Sequence, residues 1–114
     1  MLIGELSRRT GVSSRSLRYY EAQGLLEVRR GANGYRVYDE ESVITVRQVR
    51  ALLNAGLSTE VIRSVLPCMR GERPAIDMCV DVRAILDREL AATDQRIADL
   101  QRSREALVDY LTQS

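Results

Sequence analysis

The sequence predicts a mainly α-helical chain: four short helices interrupted by one small β-hairpin, followed by a single long helix. Three observations predict it. Short amphipathic segments over residues 3–66 are punctuated by Gly11, Gly24 and Gly56 and preceded by the capping residues Ser13, Asp39 and Ser58. Asn33-Gly34, a strong turn dipeptide, lies between Val28-Arg29-Arg30 and Tyr35-Arg36-Val37-Tyr38. From Val80 to Leu111 there is neither Gly nor Pro, which predicts a helix of roughly 30 residues, about 45 Å long.

Taken in order, Ile3, Leu6 and the basic residues after them form a short helix ending near Gly11. Ser13 supplies a hydroxyl to cap a second helix, which runs through Leu17, Tyr20 and Glu21 to Gly24, where a left-handed residue closes it. Leu25 fits the apolar contact of that cap. Two helices joined by a short glycine turn make a helix-turn-helix, and the hairpin after it reads as a wing, with Asn33 and Gly34 both tolerating positive φ at its tip. Asp39 caps a third helix with Glu40 and Glu41 in its favourable first turn, and Val43, Val46, Val49 and Leu53 form its buried stripe. Ser58 opens a fourth helix through Ile62 and Val65, which Pro67 stops. Residues 68–76 read as a connecting loop. The organisation is therefore a winged helix-turn-helix with its helical connector at 1–67, a connection at 68–79, and the long helix at 80–114.

Within that helix Leu86, Leu90, Thr93, Ile97, Leu100, Arg104, Leu107 and Leu111 alternate by four and three. This is a heptad seam with two polar interruptions, Thr93 and Arg104. So long a stripe exceeds what the small N-terminal domain can cover, and a second copy of the chain is its natural partner. The dimerisation residues expected are Leu86, Leu90, Ile97, Leu100, Leu107 and Leu111. Thr93 and Arg104 either fix the register or meet the other subunit's domain.

Composition excludes several classes. The 114 residues match one domain with an extension, and 45% hydrophobic with 29% charged content argues against wholesale disorder. With five Tyr and no Phe or Trp the core must be aliphatic. No apolar run approaches a membrane span, the N-terminus lacks a signal-peptide core, and two cysteines are too few for a secreted disulfide framework, so a cytoplasmic protein is expected. There is no His, no Cys-x-x-Cys and no phosphate loop, so an enzyme is not expected and no cofactor is implied.

Charge points to a polyanion. The net +1 conceals a basic front and an acidic rear: residues 1–70 carry 11 Arg against 7 acids, and residues 71–114 carry 6 Arg against 9. All 17 cationic residues are Arg, which suits phosphate and guanine edges, although genome composition explains the missing Lys equally well. Arg15, Arg18 and Tyr19 fall on the outer part of the second helix. Arg15 is the candidate for a base edge, Arg18 and Tyr19 for phosphate; the plain alternatives are a solvated Arg and a packing Tyr. Tyr20 faces inward.

The segments Ile3-Gly4-Glu5-Leu6-Ser7-Arg8-Arg9-Thr10-Gly11-Val12-Ser13, Leu17-Arg18-Tyr19-Tyr20-Glu21, Gly24-Leu25-Leu26 and Asn33-Gly34-Tyr35-Arg36-Val37-Tyr38 resemble the MerR family of regulators over nearly the whole chain, about residues 2–111. The resemblance implies a homodimer joined by an antiparallel coiled coil, bound to a pseudo-palindrome in double-stranded promoter DNA. It also implies regulation of RNA polymerase through bending and untwisting of that DNA, and specificity beyond the touched bases. It places the second helix in the major groove. Arg36 takes the wing's contact position, Tyr38 joins it at the phosphate backbone, and Arg29 and Arg30 flank them; a solubilising hairpin edge is the alternative. It further implies a short member without a separate effector-binding domain, whose effector, if a small molecule, would bind at the 68–79 connection or between subunits.

Cys68 and Cys79 remain open among three readings. In the metal-sensing branch a Cys near the start of the dimerisation helix is a ligand, and Cys79 lies close to that place; two thiolates suit a soft ion such as Cu(I), whereas a closed Zn site needs about four ligands. A redox disulfide requires the two Cα atoms to come within about 6 Å. The third reading is structural packing. The rival to a regulator is a coiled-coil interaction module, against which the intact basic helix and wing argue.

Overall fold

The computed structural model describes residues 1–70, 75–76 and 80–113. The chain divides into two units, Met1–Met78 and Cys79–Ser114.

In the first unit, α1 (Ile3–Thr10) ends at Gly11, whose φ of 73° provides the left-handed cap. Helix α2 (Ser14–Ala22) starts at Ser13, whose hydroxyl accepts from the Ser16 amide. It ends at Gly24 (φ 74°), with the Leu25 amide reaching back to Tyr20 O at 2.9 Å and the Leu25 side chain buried, as expected for that cap. Strands β1 (Arg29–Arg30) and β2 (Arg36–Val37) pair antiparallel, Arg29 opposite Val37 and Arg30 opposite Arg36. Helix α3 (Glu40–Asn54) opens on Asp39 in a reciprocal capping box with Ser42, and α4 (Thr59–Val65) opens on Ser58. A 3-10 turn, Leu66–Cys68, carries Pro67 and ends the helical run.

Leu6, Val12, Leu17, Val43, Val46, Val49, Ile62 and Val65 form the aliphatic core, all 2% exposed or less. Helix α1 packs on both α2 and α3, and α3 packs on α4. The buried stripe of α3 differs from expectation: Leu52 is buried, whereas Leu53 is half-buried. The row Val43, Val46, Val49, Leu52 advances by threes and so crosses the helix surface obliquely, as a helix covered by α1 and by α4 requires. Polar ties reinforce the packing. Arg9 binds Glu40 with both guanidinium ends, Nη2 to Oε2 at 2.7 Å, and Arg63 Nη1 donates to Gln23 O at 2.7 Å. The Arg9 hydrogen bond holds the Glu40 carboxyl below its usual range.

Two further expectations are corrected. Of the turn dipeptide expected to tolerate positive φ at both positions, only Gly34 adopts it, at 81°, and Asn33 does not. The loop spans residues 31–35, closed by Gly31 N to Tyr35 O at 2.9 Å and Gly34 N to Gly31 O at 3.0 Å, and the Asn33 side chain accepts from the Tyr35 amide. Asn33 thus contributes through its side-chain oxygen. The expected loop over 68–76 also contains structure, since β3 (Met69–Arg70) pairs antiparallel with β4 (Ala75–Ile76).

The second unit is α5 (Val80–Thr112), 33 residues and about 50 Å long. Leu90, Ile97, Leu100, Leu107 and Leu111 are exposed and Leu86 is half-buried. Among the described residues no helix is long and apolar enough to cross a membrane.

Leu17→Ala removes a fully buried side chain from α2 and is expected to destabilise the domain by about 2–5 kcal/mol. Ser13→Ala should cost about 1 kcal/mol, and Arg15→Ala, on the exposed face of the same helix, less than about 0.5 kcal/mol. Urea unfolding of the three variants measures the ranking.

Candidate nucleic-acid interface

A nine-residue helix offers two faces, and α2 uses them differently. Leu17 and Tyr20 are buried against the core, while Arg15, Arg18, Tyr19 and Ala22 are all exposed. Their spacing i, i+3, i+4, i+7 puts these four on one side of the helix. Tyr19 is 51% exposed, against 5% for Tyr20, so the adjacent tyrosines divide as expected between surface and interior. The first turn of α2 holds no acidic residue, leaving the positive end of its dipole available to an anion.

The wing stands beside this helix. Arg29, Arg30 and Arg36 are exposed. Arg30 Nη1 donates to Gly34 O at 2.9 Å, so that arginine also buttresses the wing tip. Tyr38 is a different matter. Expected at the phosphate backbone, it is instead 2% exposed, and its hydroxyl donates to Glu21 Oε1. Burial, then the bond to Glu21 and that carboxylate's charge, push the phenol up to about 12. The positive charges of Arg36 and Arg18 act on it in the opposite direction, which puts wing and helix cations in one neighbourhood. The Tyr38 backbone is held as well, its amide bonding Met1 O at 2.7 Å. The phenol is thus enclosed, with its hydroxyl bonded to Glu21, while the wing arginines around it are exposed.

Glu21 was not singled out from the sequence. Its carboxylate also pairs with Arg36, Nε to Oε2 at 3.1 Å, with the glutamate side chain 9% exposed and the arginine 42%. Position in the motif Leu17-Arg18-Tyr19-Tyr20-Glu21 was the available signal, but a glutamate near a helix end beside arginines reads as a solvated residue until the wing folds over it.

Cys68 lies half-buried in the 3-10 turn after α4, and Cys79 falls outside the described residues. Among the described residues no group of three or more His, Cys, Asp or Glu side chains is arranged to hold a metal ion.

Comparison with known proteins agrees with this geometry. Residues 1–67 match the family described as "MerR HTH family regulatory protein", and residues 43–110 match "MerR, DNA binding". The chain is 36% identical to the HTH-type transcriptional regulator HmrR of Rhizobium leguminosarum, covering 94% of this chain and 81% of that protein. It is 38% identical to nodulation protein NolA of Bradyrhizobium elkanii, covering 98% of this chain but 47% of the longer relative. Among solved structures, PbrR691 of Ralstonia metallidurans in complex with lead(II) superposes with a TM-score of 0.79 at 28% identity, over 96% of this chain and 84% of that one. HiNmlR, a regulator lacking the sensor domain and bound to promoter DNA, shares the fold at a TM-score of 0.59 and 22% identity, over 96% and 86% of the two chains. The chain belongs to the MerR family of DNA-binding helix-turn-helix transcription regulators.

Proposed function

We propose that the protein acts as a homodimer on a promoter pseudo-palindrome and regulates RNA polymerase by distorting the DNA between the half-sites. The observation that carries the DNA contact is the single exposed face of Arg15, Arg18, Tyr19 and Ala22 beside Arg36. In this reading Arg15, nearest the N-terminus of α2, meets a base edge in the major groove, and Arg18 and Tyr19 hold phosphate. Arg29, Arg30 and Arg36 of the wing follow the backbone alongside, while Tyr38 acts from the interior.

Dimerisation through α5 is supported by its exposed seam. Leu90, Leu100, Leu107 and Leu111 are each at least 60% exposed, which leaves an apolar stripe along most of a 33-residue helix. Burying one such leucine contributes roughly 1.5–3 kcal/mol, so an antiparallel pairing with a second copy removes a large unfavourable surface from water.

Similarity to heavy metal-dependent transcription regulator 2 of Rhizobium meliloti and to the lead-bound PbrR691 favours a second reading for the effector. Cys68 and Cys79 would take a soft, thiophilic ion or form a redox pair, and either would act on the 68–79 connection. Titration of thiols and of Cu(I) against the wild type, Cys68→Ser and Cys79→Ser distinguishes the metal, redox and packing roles.

DNA binding, followed by fluorescence anisotropy on a duplex selected by the protein from a random-sequence pool, should be steeply salt-dependent. Neutralising roughly six to ten phosphates implies a loss of about a thousandfold or more between about 50 and 200 mM salt. Arg36→Ala should weaken all sequences alike and reduce the salt slope by about one, whereas Arg15→Ala should relax preference at one base position per half-site, by roughly 1–3 kcal/mol. A flat salt response contradicts the phosphate assignment.

Leu100→Asp places a charge in the seam of α5. Sedimentation equilibrium should show the wild type as a dimer and this variant shifted towards monomer, with operator affinity falling in parallel. An unshifted variant would remove α5 from the interface.

A further inference from the structure

A carboxylate is an unexpected neighbour for a phosphate-binding surface, because like charge repels the ligand. In this domain one such carboxylate is nevertheless nearly enclosed. The Glu21 side chain is 9% exposed and lies in the last turn of α2, the helix whose outer face carries Arg15, Arg18 and Tyr19. Its two oxygens are used separately: Oε1 accepts the Tyr38 hydroxyl, and Oε2 faces Arg36 Nε. Arg36 opens the returning strand and Tyr38 follows directly after its end, and both side chains end on this one carboxylate.

The wing needs such a tie. Its strands are two residues each, and an isolated two-stranded hairpin is at best marginally stable in water. Backbone pairing alone therefore does not fix the angle at which the wing leaves the domain. Neither bond to Glu21 is required to build α2, whose ends are closed by Ser13 and by the backbone bonds of Gln23, Gly24 and Leu25. What the carboxylate joins is one element to the other.

We propose that Glu21 is the positioning residue of the DNA interface, clamping Arg36 and Tyr38 so that wing and recognition helix meet the duplex at a fixed spacing. The inference rests on the DNA-binding reading above and names how that same surface is preorganised. A guanidinium has five donors. With Nε facing Glu21, the outer nitrogens of Arg36 can turn to a phosphate while the clamp stays closed, and the side chain loses less rotamer freedom when DNA arrives. The Arg36 charge also lies between the carboxylate and the phosphate, offsetting the repulsion. Lysine, a point charge on a flexible stem, cannot serve both partners in this way.

The test is a double-mutant cycle on operator affinity, using the pool-selected duplex and the full chain. Glu21→Gln keeps the shape and an acceptor for Tyr38 but removes the charge facing Arg36, and is expected to weaken binding about tenfold, some 1.4 kcal/mol. In an Arg36→Ala background the same change should have almost no further effect, a non-additivity that general destabilisation would not produce. Should Glu21→Gln fail to fold, Arg36→Lys carries the test without touching the glutamate: it should lose nearly as much affinity as Arg36→Ala. Glu21→Gln binding as well as or better than the wild type, additive effects in the cycle, or a Lys that replaces Arg36 fully would each overturn the proposal. If the wild type shows no salt-sensitive preference for any duplex, the DNA-binding reading itself fails and takes this one with it. If the wild type binds and Arg36→Ala weakens it while Glu21→Gln does not, only the role of Glu21 is lost.

Discussion

Helix α2 is nine residues long, shorter than the dozen or so residues at which an isolated helix becomes even marginal in water. Its existence depends on Leu17 and Tyr20 being held in the core, and most of the first unit is arranged to hold them. Ser13 satisfies an amide at one end, Gly24 turns the chain left-handed at the other, and Leu25 closes the apolar contact beyond it. Arg63 on α4 reaches over to the carbonyl of Gln23, so even the fourth helix secures the end of the second. Because one face is consumed by this anchoring, the opposite face is free of structural duty and can carry Arg15, Arg18 and Tyr19 beside the small Ala22.

The division of labour extends to the charges. Seven acidic residues lie in the first 70, and several are tied to structure. Asp39 caps α3, with its carboxyl lowered first by the Ser42 amide, then by the Ser42 hydroxyl and, after these, by the charge of Arg29; Glu40 is bound to Arg9; Glu21 is enclosed behind Arg36. Each is either held near a helix N-terminus or neutralised by an arginine. The positive field of the interface is nevertheless larger than the net charge of +1 suggests, since residues 1–70 carry 11 Arg against 7 acids and the acidic excess lies in the rest of the chain.

Legibility in the sequence followed the locality of the physics. Caps at Ser13, Asp39 and Ser58, terminators at Gly11, Gly24 and Gly56, and the uninterrupted helix after Val80 depend on neighbours a few residues away, and all were readable. The inward Tyr20 and outward Tyr19 were readable too, from helical periodicity. What depends on distant partners was not. Leu52 replaces Leu53 in the core because α3 is covered by two different helices. The hairpin of β3 and β4 rests on two-residue strands too short to show alternation. Tyr38, placed at the phosphate backbone from its motif position, is drawn inside by a glutamate 17 residues earlier, a pairing no local pattern announces.

A regulator that works by deforming DNA places a mechanical demand on its reading heads. If wing and recognition helix could rotate against each other, a change in the relation between the two subunits would be absorbed within each head and the duplex would stay relaxed. Under the proposed function the head must be stiffer than the DNA it grips, whose smooth bending by about 40–90° over roughly 20–30 base pairs costs on the order of 1–6 kcal/mol. The backbone bridge from Tyr38 to Met1, the bidentate Arg9–Glu40 pair and the carboxylate shared by Arg36 and Tyr38 all cross between elements rather than lying within one. In α5, by contrast, the polar contacts are local: Thr93 donates to Glu89 O and accepts from Arg96, and Asp99 binds Gln95 and Arg102. The helix thereby satisfies its polar groups internally and leaves its leucines exposed. Under the proposed function, a cross-tied head and a long helix with an apolar seam are the two parts that would carry a displacement between subunits into the DNA.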